Sequence, residues 1–342
     1  MNVLVTGTDG YIGTLLAPAL ADHGHNVVGL DTGFYRDGCL YGGVPQPAKT
    51  IRKDIRLITE EDLAGFDAVV HLAELSNDPL GQQNPELTYA INHRGSVELA
   101  KKCKHVGISR FVYTSSCSVY GVGSDAYMTE ESETNPQTAY AECKVLVERD
   151  VAQLADDTFS PTFLRNATAY GPSPRMRFDI VLNNLAGLAW TTNQIKMTSD
   201  GTPWRPLVHV LDICEAVACS LAAPRDAVHN QIFNVGDTDH NYRVREIAQI
   251  VAETFPGCEL SFGNNDADNR SYRVSFEKIN THLSGFKCRR DAAVGAQQLR
   301  EIFEQIGLTR EMFEDRAFTR LKQLNHLLST GQIDDRFFWR QP

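Results

Sequence analysis

NVLVTGTDGYIG, residues 2–13, decides the fold: an apolar, strand-forming run drops into a turn with glycines at 7, 10 and 13, and the helical stretch IGTLLAPALADHG follows at once. Glycines at such a turn let the backbone approach a pyrophosphate at the helix N-terminus, where free N–H groups and the helix dipole favour negative charge. Three glycines also describe an ordinary tight turn. Asp31 weighs against that plainer reading. It closes the second apolar run, HNVVGLD, roughly 20 residues beyond the glycines, where an acid binds the ribose hydroxyls of an adenosine. Asp31 also repels a 2′-phosphate, and the nearest following arginine is Arg36, so the expected dinucleotide is NAD in preference to NADP.

Outward from this turn, short apolar runs alternate with amphipathic stretches. NVLVTG, HNVVGLD, DAVVHLA and RFVYTSS read as strands, while 12–23, 86–105 and 138–156 carry helical periodicity. That alternation predicts an α/β fold, a doubly wound parallel sheet of Rossmann type with helices on both faces. A fifth run, SPTFLRN, ends near a Gly-Pro, and the later run QIFNVG is expected to rejoin the sheet. The dinucleotide domain is therefore placed at 1–168 plus about 207–236. A smaller mixed α+β lobe takes about 169–206 and 237–342; helices are expected at 212–223, inside the dinucleotide domain, and at 242–255, with an amphipathic tail at 294–330.

Composition narrows the function classes. The 342 residues are 42% hydrophobic, enough for a large core, and the net charge of −10 argues against a nucleic-acid binder, which needs a basic face. No apolar stretch approaches the roughly 20 residues of a membrane span, and MNVLVTG enters a strand with no charged leader, so a cytoplasmic protein is expected. The eight cysteines are scattered without C-x-x-C pairs or histidine partners at ligand spacing, which predicts neither disulfides nor a metal.

Further motifs extend along the chain: KDIR at 53–56, HLAELS at 71–76, Asn92 in INHRG, SSCSVYG at 115–121, Tyr140-x-x-x-Lys144, LRNATAYGP and WRPLVHVLDI. With the glycine turn and Asp31, they make the sequence resemble the extended short-chain dehydrogenases/reductases of the NAD-dependent epimerase/dehydratase type, to which the nucleotide-sugar epimerases belong. The resemblance implies a cofactor site formed by Gly7, Asp9, Gly10, Tyr11, Ile12, Gly13 and Asp31. Asp54 and Ile55 would flank the adenine, Leu72, Ala73, Glu74 and Ser76 would line the cofactor, and Ser115 would face the nicotinamide.

Tyr140 and Lys144 stand at i and i+4, on one face of the expected helix. A free tyrosine ionises near pH 10, so it is a poor base at neutrality unless a neighbouring cation stabilises the phenolate, which Lys144 can do. An isolated Y-x-x-x-K is common and usually ornamental; its place after SSCSVYG gives it weight. By the resemblance, Tyr140 takes the proton of a sugar hydroxyl, usually at C4, Ser116 shares it, and Asn92 orders the relay. Relatives that eliminate water or carbon dioxide carry a carboxylate two residues after the catalytic Ser/Thr; here Cys117 and Ser118 follow Ser116, which favours epimerisation. Strand alternation points Cys117 away from Ser116, as expected of a small buried hydrophobe, although the substrate pocket is taken to include it with Ser118.

The substrate implied is a nucleotide diphosphate sugar. Arginines match phosphate geometry bidentately, and the resemblance offers Arg205 and Arg270, with Tyr272, Asn184 and, at the sugar, Thr168. Arg175 and Arg177 are weaker candidates. A homodimer paired through the helices 86–105 and 138–156 is the family default. Two rival readings stay open: a dehydrogenase, ketoreductase or dehydratase on the same fold, and a non-catalytic NAD sensor. The complete set of Ser116, Tyr140, Lys144 and Asn92 disfavours the sensor.

Overall fold

The computed structural model describes residues 1–76, 84–122, 126–264 and 271–340. Its core is a seven-stranded parallel sheet built from β1 (Asn2–Thr6), β2 (Asn26–Asp31), β3 (Lys49–Arg52), β4 (Ala68–His71), β5 (Arg110–Ser116), β6 (Ser160–Asn166) and β7 (Gln231–Val235). The spatial order is β7-β6-β5-β4-β1-β2-β3. Val3, Leu4 and Val5 are all fully buried, because a central parallel strand is covered on both faces and has no polar side to alternate with. One apolar layer packs Leu16, Val70 and Val217 on one face of the sheet; the other packs Leu99, Phe111 and Val147 on the opposite face. The strand order reverses between β1 and β4, and doubly wound sheets bind ligands outside the carboxyl ends of their strands at that point. Gly7, Asp31, Leu72 and Ser116 all follow or end strands on this edge.

The expected doubly wound sheet is therefore present, and QIFNV rejoins it beside β6. The helices Gly13–Asp22, Ala139–Ala152, Val210–Ala222 and Val244–Thr254 fall where periodicity places them, within a few residues. The stretch 86–105 differs. It begins as an α-turn at Pro85–Thr88, widens into a π-helix over Tyr89–Gly95 and returns to α-helix at Ser96–His105. The wider turn carries Asn92, whose amide bonds both ways to the backbone of Leu75 on the adjoining loop.

Outside the large sheet, a three-stranded sheet forms in which Trp204–His209 runs parallel to Thr168–Tyr170 and antiparallel to Asn241–Arg243. Its own core gathers Tyr170, Phe178, Ile247 and Phe303. The amphipathic tail is not one helix but three, Ala292–Ile306, Arg310–Glu314 and Arg320–Ser329. The last of these returns to the large sheet: Leu324, Leu327, Ile333 and Phe337 pack in the same cluster as Leu4, Leu30 and Phe34.

Candidate active site

A cleft of about 730 Å³ opens along the carboxyl edge of the large sheet and is lined as well by residues of the small three-stranded sheet, among them Thr168 and Arg205. At one end lies the glycine turn. Gly7 has φ +80°, and a Cβ there would meet the backbone of Leu72 and Ala73 at 3.0 Å; one on Gly13 would stand 2.1 Å from the carbonyl of Gly7. The turn thus holds the β4 loop and the start of helix Gly13–Asp22 in contact. That helix starts at Ile12 with no side-chain cap and no acid in its first turn; Thr14 and Leu15 donate to the carbonyls of Gly10 and Ile12, so an anion here would meet the positive end of the helix dipole and the N–H groups of the turn ahead of them. Tyr11 is anchored beneath the cleft by its hydroxyl, which donates to the carbonyl of Gly171.

Asp31 lines the same cleft and is nearly sequestered. Its carboxylate accepts from the backbone N–H of Asp9 at 2.9 Å and of Gly33 at 2.7 Å. Burial and the like charge of Asp9 push its pKa up to about 6 despite those donors. Asp54 caps the short turn at Ile55–Leu57 and takes the Arg56 guanidinium bidentately, which fixes Ile55 against the cleft. An uncapped helix start facing a carboxylate across one cleft fits a dinucleotide.

At the middle of the cleft, Tyr140 and Lys144 project from helix Ala139–Ala152, whose N-cap hydroxyl, that of Thr138, accepts from Ala141. The Lys144 ammonium lies 5.4 Å from the Tyr140 ring centre and 4.5 Å from that of Tyr113. It is only 3% exposed, donates to the carbonyl of Thr114 and sits 2.6 Å from Glu74 Oε2. Burial works against the charge, but Glu74, with Tyr140, more than offsets it and holds Lys144 above the ordinary lysine value. The other oxygen of Glu74 accepts from Tyr113 at 2.6 Å. HLAELS therefore brings a second charged group into the relay, one that sequence reasoning treats only as a lining residue.

Ser116 and Asn166 are register partners on β5 and β6, and both face the cleft. Ser118 Oγ and Asn166 Oδ1 are buried there without a partner among the described residues, a pair of polar atoms suited to a polyhydroxyl ligand. Nothing in LRNATAYGP singles out Asn166; its register with Ser116 does. Ser115 reaches the cleft wall, but its hydroxyl donates to Glu148, which forms a buried ion pair with Arg165 at 2.6 Å. Thr168, Asn184, Arg205 and Tyr272 line the second-lobe side. Arg177 also reaches the cleft, held bidentately by Asp179 and hydrogen-bonded to Ser76, whereas Arg175 is tied to the carbonyls of Arg36 and Gly38.

The cleft thus gathers Gly7, Gly10, Tyr11, Ile12, Gly13, Asp31, Asp54, Ile55, Leu72, Ala73, Glu74, Ser76, Ser115, Ser116, Ser118, Tyr140, Lys144, Thr168, Asn184, Arg205 and Tyr272. Three expected site residues do not line it. Asp9 spends its carboxylate on Arg52 and its N–H on Asp31, Asn92 braces Leu75 from behind, and Cys117 turns its thiol to the carbonyl of Arg165, where burial pushes its pKa up. Arg270 lies outside the described residues.

Comparison with known proteins agrees with this geometry. Residues 3–236 match the model of the family described as NAD dependent epimerase/dehydratase. A UDP-glucose 4-epimerase of Mycolicibacterium smegmatis is 30% identical over 274 residues, covering 74% of this chain and 82% of that protein. Another UDP-glucose 4-epimerase, from Corynebacterium glutamicum, is 28% identical over 268 residues, 74% of this chain and 80% of its own. Among solved structures, MoeE5 in complex with UDP-glucuronic acid and NAD superposes with a TM-score of 0.75 at 29% identity, over 89% of this chain and 99% of that one.

Proposed function

The chain belongs to the NAD dependent epimerase/dehydratase family, and from that premise we propose that it is an NAD-dependent nucleotide-sugar epimerase that inverts C4 through a transient 4-keto sugar. The cofactor is NAD. Gly7, Gly10, Gly13 and Asp31 hold it, with Asp54 and Ile55 at the adenine and Glu74, Ser115 and Lys144 towards the nicotinamide. When bound it supplies the hydride acceptor and, within the same turnover, the hydride donor.

Tyr140 takes the proton from the C4 hydroxyl, Ser116 shares that hydrogen bond, and, once the keto sugar has turned its opposite face to the cofactor, the same phenol returns the proton to the C4 oxygen. Lys144 stabilises the phenolate, and Glu74 fixes where the ammonium sits. Asn184, Arg205, Tyr272 and Arg270 receive the nucleotide diphosphate, Ser118 and Thr168 the sugar. Cys117 takes no proton. Asn92 acts through the Leu75 loop, as a positioning residue. The relatives' names point to a UDP-linked hexose or hexuronic acid as substrate.

One observation carries epimerisation over elimination. Among the described residues, the cleft carboxylates Glu74, Asp54 and Asp179 are each engaged by a cation, the fourth, Asp31, takes the backbone N–H groups of Asp9 and Gly33 at the dinucleotide end, and no acid occupies position 117 or 118 to protonate a leaving group. The first 168 residues and about 207–236 would bind the cofactor, and the second lobe the substrate. No helix among the described residues is long and apolar enough to cross a membrane, and we place the enzyme in the cytoplasm as a homodimer paired through 86–105 and 138–156.

Tyr140→Phe tests the assignment. Conversion of UDP-sugars, followed by NMR of the products, should fall at least about a thousandfold while NAD binding measured by calorimetry changes little. A variant that still turns over at the wild-type rate refutes Tyr140 as the proton carrier.

A further inference from the structure

Arg320 opens the last helix, Arg320–Ser329, well beyond the residues the family model covers, yet it lines the wall of the cofactor cleft beside Asp31, Phe34 and Tyr35. It is 4% exposed, with its guanidinium 3.9 Å from the centre of the Tyr35 ring. Lys53, Lys144 and Arg177, which share the cleft wall, each face a carboxylate at ion-pair distance. Arg320 makes no ion pair and no side-chain hydrogen bond among the described residues. A guanidinium held in that way is costly to bury unless an anion meets it, and burial, with Arg177 nearby, draws its pKa down to about 10.

The surrounding contacts show that this placement is built in. Gln323 donates to the carbonyl of Phe34 at 2.9 Å, and the Trp339 indole donates to that of Thr32 at 2.7 Å. Phe34 sits against both Phe337 and Trp339. On the adenine side, Arg56 stacks on Phe338 at 3.8 Å and donates to the carbonyl of Arg336. The C-terminal segment therefore grips both loops that carry acids of the cofactor site, those after Asp31 and Asp54, and brings Arg320 to the cleft wall, where Tyr35, Arg177, Asp179 and Asp31 all act on its charge without closing an ion pair among the described residues.

We propose that Arg320 is a cofactor-binding residue, a guanidinium delivered by the C-terminal segment to the diphosphate of the bound dinucleotide. The glycine turn supplies backbone N–H groups and a helix dipole, but GTDGYIG contains no cation, so two phosphate charges need a counterion from elsewhere. The Tyr35 ring holds the guanidinium plane in place before the ligand arrives, which lowers the ordering cost of the contact.

This inference rests on the dinucleotide reading, and one titration separates the two. The full-length chain, stripped of nucleotide, is titrated with NAD, ADP-ribose and adenosine. Arg320→Met should raise Kd for NAD and ADP-ribose at least about tenfold and leave adenosine within about twofold, while Arg320→Lys recovers part of the loss. If Arg320→Met does not fold by circular dichroism, Arg320→Gln replaces it, since it keeps a polar side chain in the buried site while removing the charge. A folded variant with unchanged NAD affinity, or one that weakens all three ligands equally, overturns the proposal. Wild-type protein that binds no NAD overturns the dinucleotide reading instead.

Discussion

Glu74 and Lys144 form an ion pair with both side chains almost wholly buried, and in the proposed mechanism the lysine is the cation on which the Tyr140 phenolate depends. A carboxylate so placed partly cancels the field of the ammonium at the phenol. Glu74→Gln should therefore make Tyr140 more acidic, and the acid limb of the kcat/KM profile should move to lower pH. A limb that stays put, or moves up, would show that Glu74 serves packing alone. Asp31 gives a second pH signature. Its folded pKa, about 6, lies above that of an unfolded carboxyl, so the stability it adds is present below the unfolded value and is lost as pH rises through about 6. Cofactor binding runs the other way, because ribose hydroxyls donate to the ionised form. NAD affinity should fall as pH drops below about 6, and Asp31→Asn should flatten that dependence in calorimetry; an equally steep profile in the variant would assign it to another group. At this scale the sequence was most legible where the partners stand one helical turn apart, as Tyr140 and Lys144 do. It was least legible where the role comes from a neighbour far along the chain: Glu74 with Lys144, Asn166 with Ser116, Arg320 with Tyr35.

Below Ser116, β5, β6 and the helix Ala139–Ala152 are tied together by a buried network. Glu148 takes the Arg165 guanidinium and the Ser115 hydroxyl, and Arg165 reaches the Tyr120 hydroxyl at 3.0 Å. Removing one partner leaves the other charge buried and alone, so Glu148→Ala should cost about 3–5 kcal/mol. Calorimetry should show a clearly lower Tm; a loss too small to detect would mean that water reaches Arg165. Local patterning foresaw the strands because parallel strands covered on both faces are continuous apolar runs, as in Val3 to Val5. It foresaw neither the π-turn at Tyr89–Gly95 nor the break-up of the tail, because both are set by what the helices pack against and leave the apolar periodicity nearly unchanged.

Across the whole molecule, the carboxyl edge of the large sheet, the small three-stranded sheet and the returning C-terminal segment line one cleft that holds the glycine turn, Tyr140 with Lys144, and polar atoms of Ser118 and Asn166 that have no partner among the described residues. Such an enclosure suits a cofactor that stays bound and gives back what it takes. The rival dehydrogenase would release reduced cofactor, and a dehydratase would exchange hydrogen with solvent. The decisive measurement is turnover, in light water, of a UDP-sugar carrying deuterium at C4, with product analysis by NMR and absorbance followed at about 340 nm. The C4 epimer should form with its deuterium retained, and absorbance should not grow beyond the enzyme's own concentration. Deuterium lost to solvent, or reduced cofactor accumulating in step with product, would contradict the epimerase.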